Sequence, residues 1–173
     1  MNRVLFREVQ FFRNNPVWTI LLMIPIVVFG SILIYQLATG TGIGDRPWTN
    51  TSLAVLSTGV LIPSLLALLR IKLTTIIDHE KIRFGWNMPT PELNEIMLSD
   101  IREWSVIKYD FVGFGYRTSE KYGTVHNLSG NRGLFIITKT GERILIGTHK
   151  LREIKAAMDA VQVGEQGPSG SAG

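Results

Sequence analysis

The chain has 173 residues, a formal net charge of +4 and 45% hydrophobic residues, and its mean hydropathy is positive. A single soluble domain of this length is less apolar, so the excess points to membrane-embedded segments. Cysteine is absent, which excludes disulfides, cysteine zinc centres and a thiol nucleophile and agrees with a cytoplasmic bulk domain.

The first fifteen residues read MNRVLFREVQFFRNN. On a helical wheel Val4, Leu5, Phe6, Val9 and Phe12 fill one side, while Arg3, Arg7, Gln10 and Arg13 take the other. This predicts a cytoplasmic or interfacial amphipathic segment over residues 1–16. It is either a helix lying in the interface, arginines toward anionic headgroups, or a cytoplasmic extension of the helix that follows.

From Val17 to Ala38 there is no charged residue. A helix of that length crosses a bilayer core of about 30 Å, which predicts a first transmembrane helix over residues 17–39. The apolar region of a secretory signal peptide runs only about 7–15 residues before a small-residue cleavage site, and this stretch fits neither feature. Residues 40–51 read as a short external loop and residues 52–71 as a second transmembrane helix, diluted by Ser, Thr, Gly and Pro. Neither span carries an ionisable side chain, so the pair is an anchor and not an ion pathway. Pro25 and Pro63 are expected to kink the two spans. Arg3, Arg7, Arg13 and Arg70 flank them, with Trp18 and Trp48 near the expected interfaces, and these six residues read as membrane-interface anchors. The basic flanks predict a multi-pass protein of the plasma (inner) membrane with both termini cytoplasmic.

At about Ile71 the apolar period changes to two. IKLTTIID and KIRFGW read as strands around a turn at Asp78–Glu80, and NMPTPELNEIM reads as a Pro-interrupted connection. DIREWSVIKYD, TVHNLS, LFIITK and ERILIGT read as further strands, with glycine-rich GFGY and polar RTSEKYG as loop between the first two of these. LREIKAAMDAV closes the domain as a helix, with Leu151, Ile154, Met158 and Val161 on one face and Thr148 as N-cap. About seven antiparallel strands and one C-terminal helix, over residues 72–162, predict an α+β domain: a bent sheet or barrel closed by that helix. Its core pattern reads as complete from Ile71 to Val161, so a fragment covering Lys72 to Gly164 is expected to fold alone. Residues 163–173, small and polar, read as a disordered tail.

FREVQFF at the N-terminus, two spans followed at once by a strand, and SGNRGLFIITKTGERILIGTHK leading into the last helix carry a resemblance. The chain resembles bacterial two-transmembrane-helix proteins of uncharacterised function that carry a cytoplasmic pleckstrin-homology-like domain. The resemblance implies a membrane α-hairpin followed by such a domain, and it implies no catalytic residues.

Two basic groups are candidate anion or lipid contacts. GNRG offers backbone N–H groups and Arg132 to an anion. It feeds a strand and not a helix N-terminus, and it lacks the lysine-hydroxyl ending of a phosphate loop, so it reads as a corner with Gly or Asn at positive φ. Lys72, Lys81 and Arg83 resemble the basic signature of lipid-binding pleckstrin-homology domains, but their turn is short and alternation puts Lys81 and Arg83 on a solvated face. If Thr140-Gly141 forms a two-residue hairpin turn, Lys139 faces Glu142, Ile137 faces Ile144 and Phe135 faces Ile146. Leu134, Ile136 and Leu145 then lie on the reverse face and are a candidate partner surface.

His79, His126 and His149 show no metal-ligand spacing and read as solvated turn residues. No catalytic site, metal or cofactor is expected, and interspersed charge argues against nucleic acid as a partner. The expected partners are membrane lipids, through the hairpin and the N-terminal segment, and a protein partner or a second copy. The expected function is a non-catalytic interaction module, a subunit or regulator of a membrane assembly. The alternative is a lipid-responsive regulator binding anionic headgroups; a membrane-bound enzyme ranks third.

Overall fold

Two helices separate the first strand of this protein from the second. The computed structural model describes residues 3–42, 49–87, 92–110 and 115–165. It divides into a helical unit, Phe11–Ile71, and a second unit made of the first ten residues and the chain from Lys72 onward.

In the helical unit, α1 runs Pro16–Thr39. The Asn15 side chain accepts the Val17 N–H at 3.0 Å, and Pro16 takes the first helical position, where its missing N–H costs nothing. The helix stops at Gly40, whose φ of 69° only glycine adopts easily and whose N–H donates to the Gln36 carbonyl. The second helix, α2, spans Asn50–Arg70 and is capped by Thr49, whose Oγ1 accepts the Ser52 N–H at 3.2 Å. The two helices pack along one another. Ile20, Leu21, Ile24, Val27, Ile34 and Leu37 of α1 are exposed, an apolar surface that water does not favour. α1 is long and apolar enough to cross a membrane, whereas the apolar part of α2, Thr51–Ala67, is shorter. Pro25 and Pro63 lie inside unbroken helical segments.

The second unit begins with a correction. Phe6–Phe11 is a strand, β1, and not an amphipathic helix. Its burial alternates, with Phe6, Glu8 and Gln10 inside, because as an extended edge strand paired on one side it turns alternate side chains toward the core. That strand is β2, Lys72–Ile77. Leu5 N–H donates to the Ile77 carbonyl at 2.9 Å and Phe12 N–H to the Ile71 carbonyl at 3.0 Å, so β1 and β2 run antiparallel. β3 (Lys81–Trp86) and β4 (Asn94–Met97) complete a sheet of order β1-β2-β3-β4. The β2–β3 turn is the expected one: the Asp78 carboxylate accepts the N–H groups of Glu80 and Lys81 at 3.0 and 2.9 Å. Burial alone raises the Asp78 pKa, but these bonds and the charges of Arg83 and Lys81 outweigh it, leaving it below the ordinary value.

The other sheet contains β5 (Ile101–Lys108), β6 (Gly115–Ser119), β7 (Gly123–Asn127), β8 (Arg132–Thr138) and β9 (Arg143–Gly147) in the order β5-β8-β9-β7-β6. β7 and β9 are parallel, and the other pairs in this sheet are antiparallel. Among the described residues, nine strands in two open sheets stand where about seven antiparallel strands in a bent sheet or barrel were expected. β4 and β6 escape the alternation pattern because they are sheet edges with mostly exposed side chains. The two sheets and α3 (Leu151–Glu165) share one core, in which Phe6, Ile82, Phe84, Ile136, Ile146 and Met158 take part. Ile154, Met158 and Val161 are buried on the predicted helix face. Thr148 lies two residues before the cap position, Lys150: Lys150 O accepts the Ile154 N–H, while Thr148 Oγ1 accepts the Lys150 N–H at 3.0 Å. The helix also runs to Glu165, three residues into the predicted tail, and residues 166–173 lie outside the described residues.

The β8–β9 hairpin differs from expectation by one residue. Gly141 N–H donates to the Thr138 carbonyl at 3.0 Å and Thr138 N–H to the Glu142 carbonyl at 2.9 Å, which makes a three-residue loop with Gly141 at φ 87°. Ile136 then faces Ile144, Phe135 faces Leu145 and Leu134 faces Ile146. A slip of one residue exchanges the faces. Leu134 and Ile136 enter the main core, while Leu145 joins Tyr109, Tyr122 and Val125 in a second layer on the reverse of the sheet. All three are fully buried, so the proposed partner surface is interior. Gly141→Val is expected to cost about 1–3 kcal/mol in urea unfolding. No atom crowds a Cβ there, so the loss reports backbone strain alone, and an unchanged midpoint overturns the assigned turn.

Candidate functional site at the seam of the two sheets

β4 is the outer strand of one sheet and β6 the outer strand of the other. Beside these edges lies a cavity of about 280 Å³. Asn94, Glu95 and Ile96 of β4, Phe84 of β3, Tyr116 of β6, Thr124 and His126 of β7, and Glu142 and Ile144 beside or on β9 line it.

His126 is the group that sequence reasoning misplaced. In β7 the alternation turns Val125 toward Leu145 in the reverse layer, so His126 points into the side shared by the two sheets. It is 2% exposed, not a solvated turn residue. Phe84 and Tyr116 meet its ring edge-on, with centroids at 4.9 and 5.1 Å. Its Nδ1 has no hydrogen-bond partner among the described residues. Burial pushes its pKa down from 6.5 to about 4, so the imidazole is neutral at physiological pH. A parity argument along TVHN, with Val125 assigned inward to the reverse layer, was the available signal.

Two carboxylates stand at this cavity. Glu95 pairs with Lys81 at 2.6 Å. Glu142 is exposed and is fixed through its backbone, its N–H donating to Thr138 Oγ1 at 3.0 Å. Its carboxylate makes no ion pair among the described residues. Tyr116 is 66% exposed, so one face of an aromatic ring remains free beside these acids. Aromatic faces, carboxylate oxygens and an uncharged imidazole together suit a positively charged group.

The residues singled out by sequence do not come together. Lys72 and Lys81 sit at opposite ends of the β2–β3 hairpin, about 20 Å apart along the strand. Lys81 is paired with Glu95, and Arg83 with Asp78 at 3.3 Å. Arg132 is exposed at the start of β8, opposite Lys108. GNRG behaves as a corner: Gly130 has φ 82°, and the Asn131 and Arg132 carbonyls accept the Tyr109 and Thr148 N–H groups. Of the six anchors, Arg3 and Arg7 are exposed on or beside β1 and Arg70 is exposed at the end of α2. Arg13 lies 4.9 Å over the Phe11 ring and Trp18 stacks on Phe12 at 4.7 Å. Trp48 lies outside the described residues.

Glu8 and Gln10 are the polar residues whose role the sequence did not reveal. Thr148 Oγ1 donates to Glu8 Oε2, and His149 N–H donates to Glu8 Oε1 at 3.0 Å. Gln10 Nε2 donates to the Gly147 carbonyl at 2.8 Å. Ser129 Oγ and His149 Nε2 are 2.6 Å apart, a serine–histidine contact. Glu8 accepts from the His149 backbone N–H and not from its ring, so Glu8 is not the group that would orient this imidazole as a base. Among the described residues, no three His, Asp or Glu side chains gather to hold a metal ion. The chain matches no protein-family model, no curated protein and no solved structure.

Proposed function

We propose that the protein is a multi-pass protein of the plasma (inner) membrane whose cytoplasmic pleckstrin-homology-like domain is a non-catalytic interaction module, a subunit or regulator of a membrane assembly. The observation that carries this reading is topological. α1 and α2 are inserted between β1 and β2, which hydrogen-bond to one another in one sheet. A chain that leaves that side of a bilayer along α1 must recross before β2 begins. α2 is the return path, and its 21 residues give about 31 Å of helix, enough for a bilayer core. Both ends of the insertion then lie on one side, and Arg3, Arg7, Arg13 and Arg70 favour the cytoplasm for it. Two sheets packed with a C-terminal helix support the pleckstrin-homology-like reading, although β1 and the parallel β7–β9 pair are additions to a simple seven-stranded pattern.

The lipid-responsive alternative is less well supported, since Lys81 and Arg83 are engaged in ion pairs. The test uses introduced thiols in a chain that has none. Ser52→Cys is expected to react with an impermeant maleimide from outside intact cells, and Thr140→Cys only after lysis. Labelling of Thr140→Cys in intact cells rejects the orientation. Photocrosslinking in intact membranes through photoleucine incorporated throughout the chain, and so not tied to the seam, is expected to capture a discrete protein adduct. Capture of lipid alone rejects the module in favour of the lipid reading.

A further inference from the structure

Resting on the interaction-module reading and naming its partner chemistry, we infer that the seam cavity binds a lysine or arginine side chain of an extended partner segment laid along the β4 edge. The recognising groups are Tyr116 and Glu142, with Glu95 at the rim. The cavity is large enough for an alkylammonium or guanidinium group, and among the described residues its walls carry two carboxylates and no Lys or Arg. Lys81 holds Glu95 at 2.6 Å, so Glu142 supplies the uncompensated negative charge. Tyr116, 66% exposed, presents a ring face on which a cation gains attraction from the aromatic quadrupole. His126, neutral in its aromatic slot, adds no opposing charge. A cavity formed beside a sheet edge favours a polypeptide source over a free amine. Among the described residues β4 pairs only with β3, and an edge strand turns alternate peptide groups outward, where an added strand hydrogen-bonds while its side chains enter adjoining pockets. Three of the four β4 side chains are exposed.

The experiment measures binding of a capped octapeptide of alternating threonine and lysine to the full-length protein in detergent, by calorimetry at moderate salt. Saturable binding is expected, with a capped threonine–glutamate octapeptide inert. Tyr116→Ala and Glu142→Gln are each expected to weaken binding about tenfold, while Tyr116→Phe retains it because the ring face persists. Both positions are exposed, so urea midpoints close to wild type establish that the variants are folded. Equal affinity in wild type, Tyr116→Ala and Glu142→Gln overturns the site, as does absence of lysine-peptide binding at millimolar concentration. Binding of phosphatidylethanolamine vesicles that is lost in Tyr116→Ala, without peptide binding, overturns the polypeptide source. These failures leave the module reading separately tested, because a protein adduct captured in intact membranes stands whether or not the seam is its docking point.

Discussion

A fragment beginning at Lys72 is expected to lose cooperative unfolding, and the same fragment with residues 3–12 restored ahead of it is expected to recover it. The physical reason is that the two-sheet unit borrows its first strand from beyond the helical insertion. Phe6 is a core residue at 4% exposure, and burying such a side chain contributes about 1.5–3 kcal/mol. Glu8, 5% exposed, accepts hydrogen bonds from Thr148 and His149 at the entrance to α3, and bonds to a charged group contribute about 1.5–3 kcal/mol each. Together with the Gln10 bond to Gly147, these losses approach the whole stability of a small domain, about 5–15 kcal/mol. Removing β1 also bares the β2 edge to other chains. The informative pair is Lys72–Glu165 alone against residues 3–12 joined to 71–165 by a short Asn–Gly loop, which closes the hairpin where Phe12 and Ile71 already bond. Urea unfolding followed by circular dichroism is expected to give a broad, aggregation-prone profile for the first and a single sigmoid for the second. A sigmoid of equal midpoint for the fragment without β1 rejects the assigned role of the N-terminus.

What the sequence shows and hides follows from where each element gets its partners. α1 is legible as an unbroken uncharged run of spanning length, and β2, β3, β5, β8 and β9 are legible because their apolar residues repeat with the period of a strand. The buried face of α3 is legible from the period of a helix. β1 is not: Val4, Leu5 and Phe6 in succession fill a helical wheel, and only a strand 60 residues away converts the segment to period two. β4 and β6 are edges with mostly exposed side chains, and β4 has the single buried apolar residue Ile96, too little to mark a strand. The β8–β9 register turned on whether the loop holds two residues or three, a difference in the backbone of Gly141 that composition does not report. That single slip decided that Leu134 and Ile136 are core, and it is why the exposed chemistry lies instead at the seam. The seam itself gathers residues from β3, β4, β6, β7 and β9, and no local pattern announces a site of that kind.

Acid is expected to weaken the fold through His126 before most carboxylates titrate. Its pKa is lowered from 6.5 to about 4 by burial, so between those values the unfolded chain holds a proton that the folded chain excludes. Stability therefore falls as pH drops below about 6.5, and the loss levels off only below about 4. Between pH 7.5 and 5 it amounts to about 2 kcal/mol. Asp78 acts in the same direction, but its carboxyl titrates below the ordinary value of 3.8 and so contributes outside this window. Urea unfolding of the full chain in detergent at the two pH values measures the difference. His126→Phe is the matched comparison, since an apolar ring meets Phe84 and Tyr116 without carrying a titrating nitrogen. The variant is expected to show a much flatter pH dependence between 7.5 and 5. If wild type and variant lose stability equally, the imidazole is already solvated in the folded state, and the neutral, cation-tolerant wall of the seam goes with it.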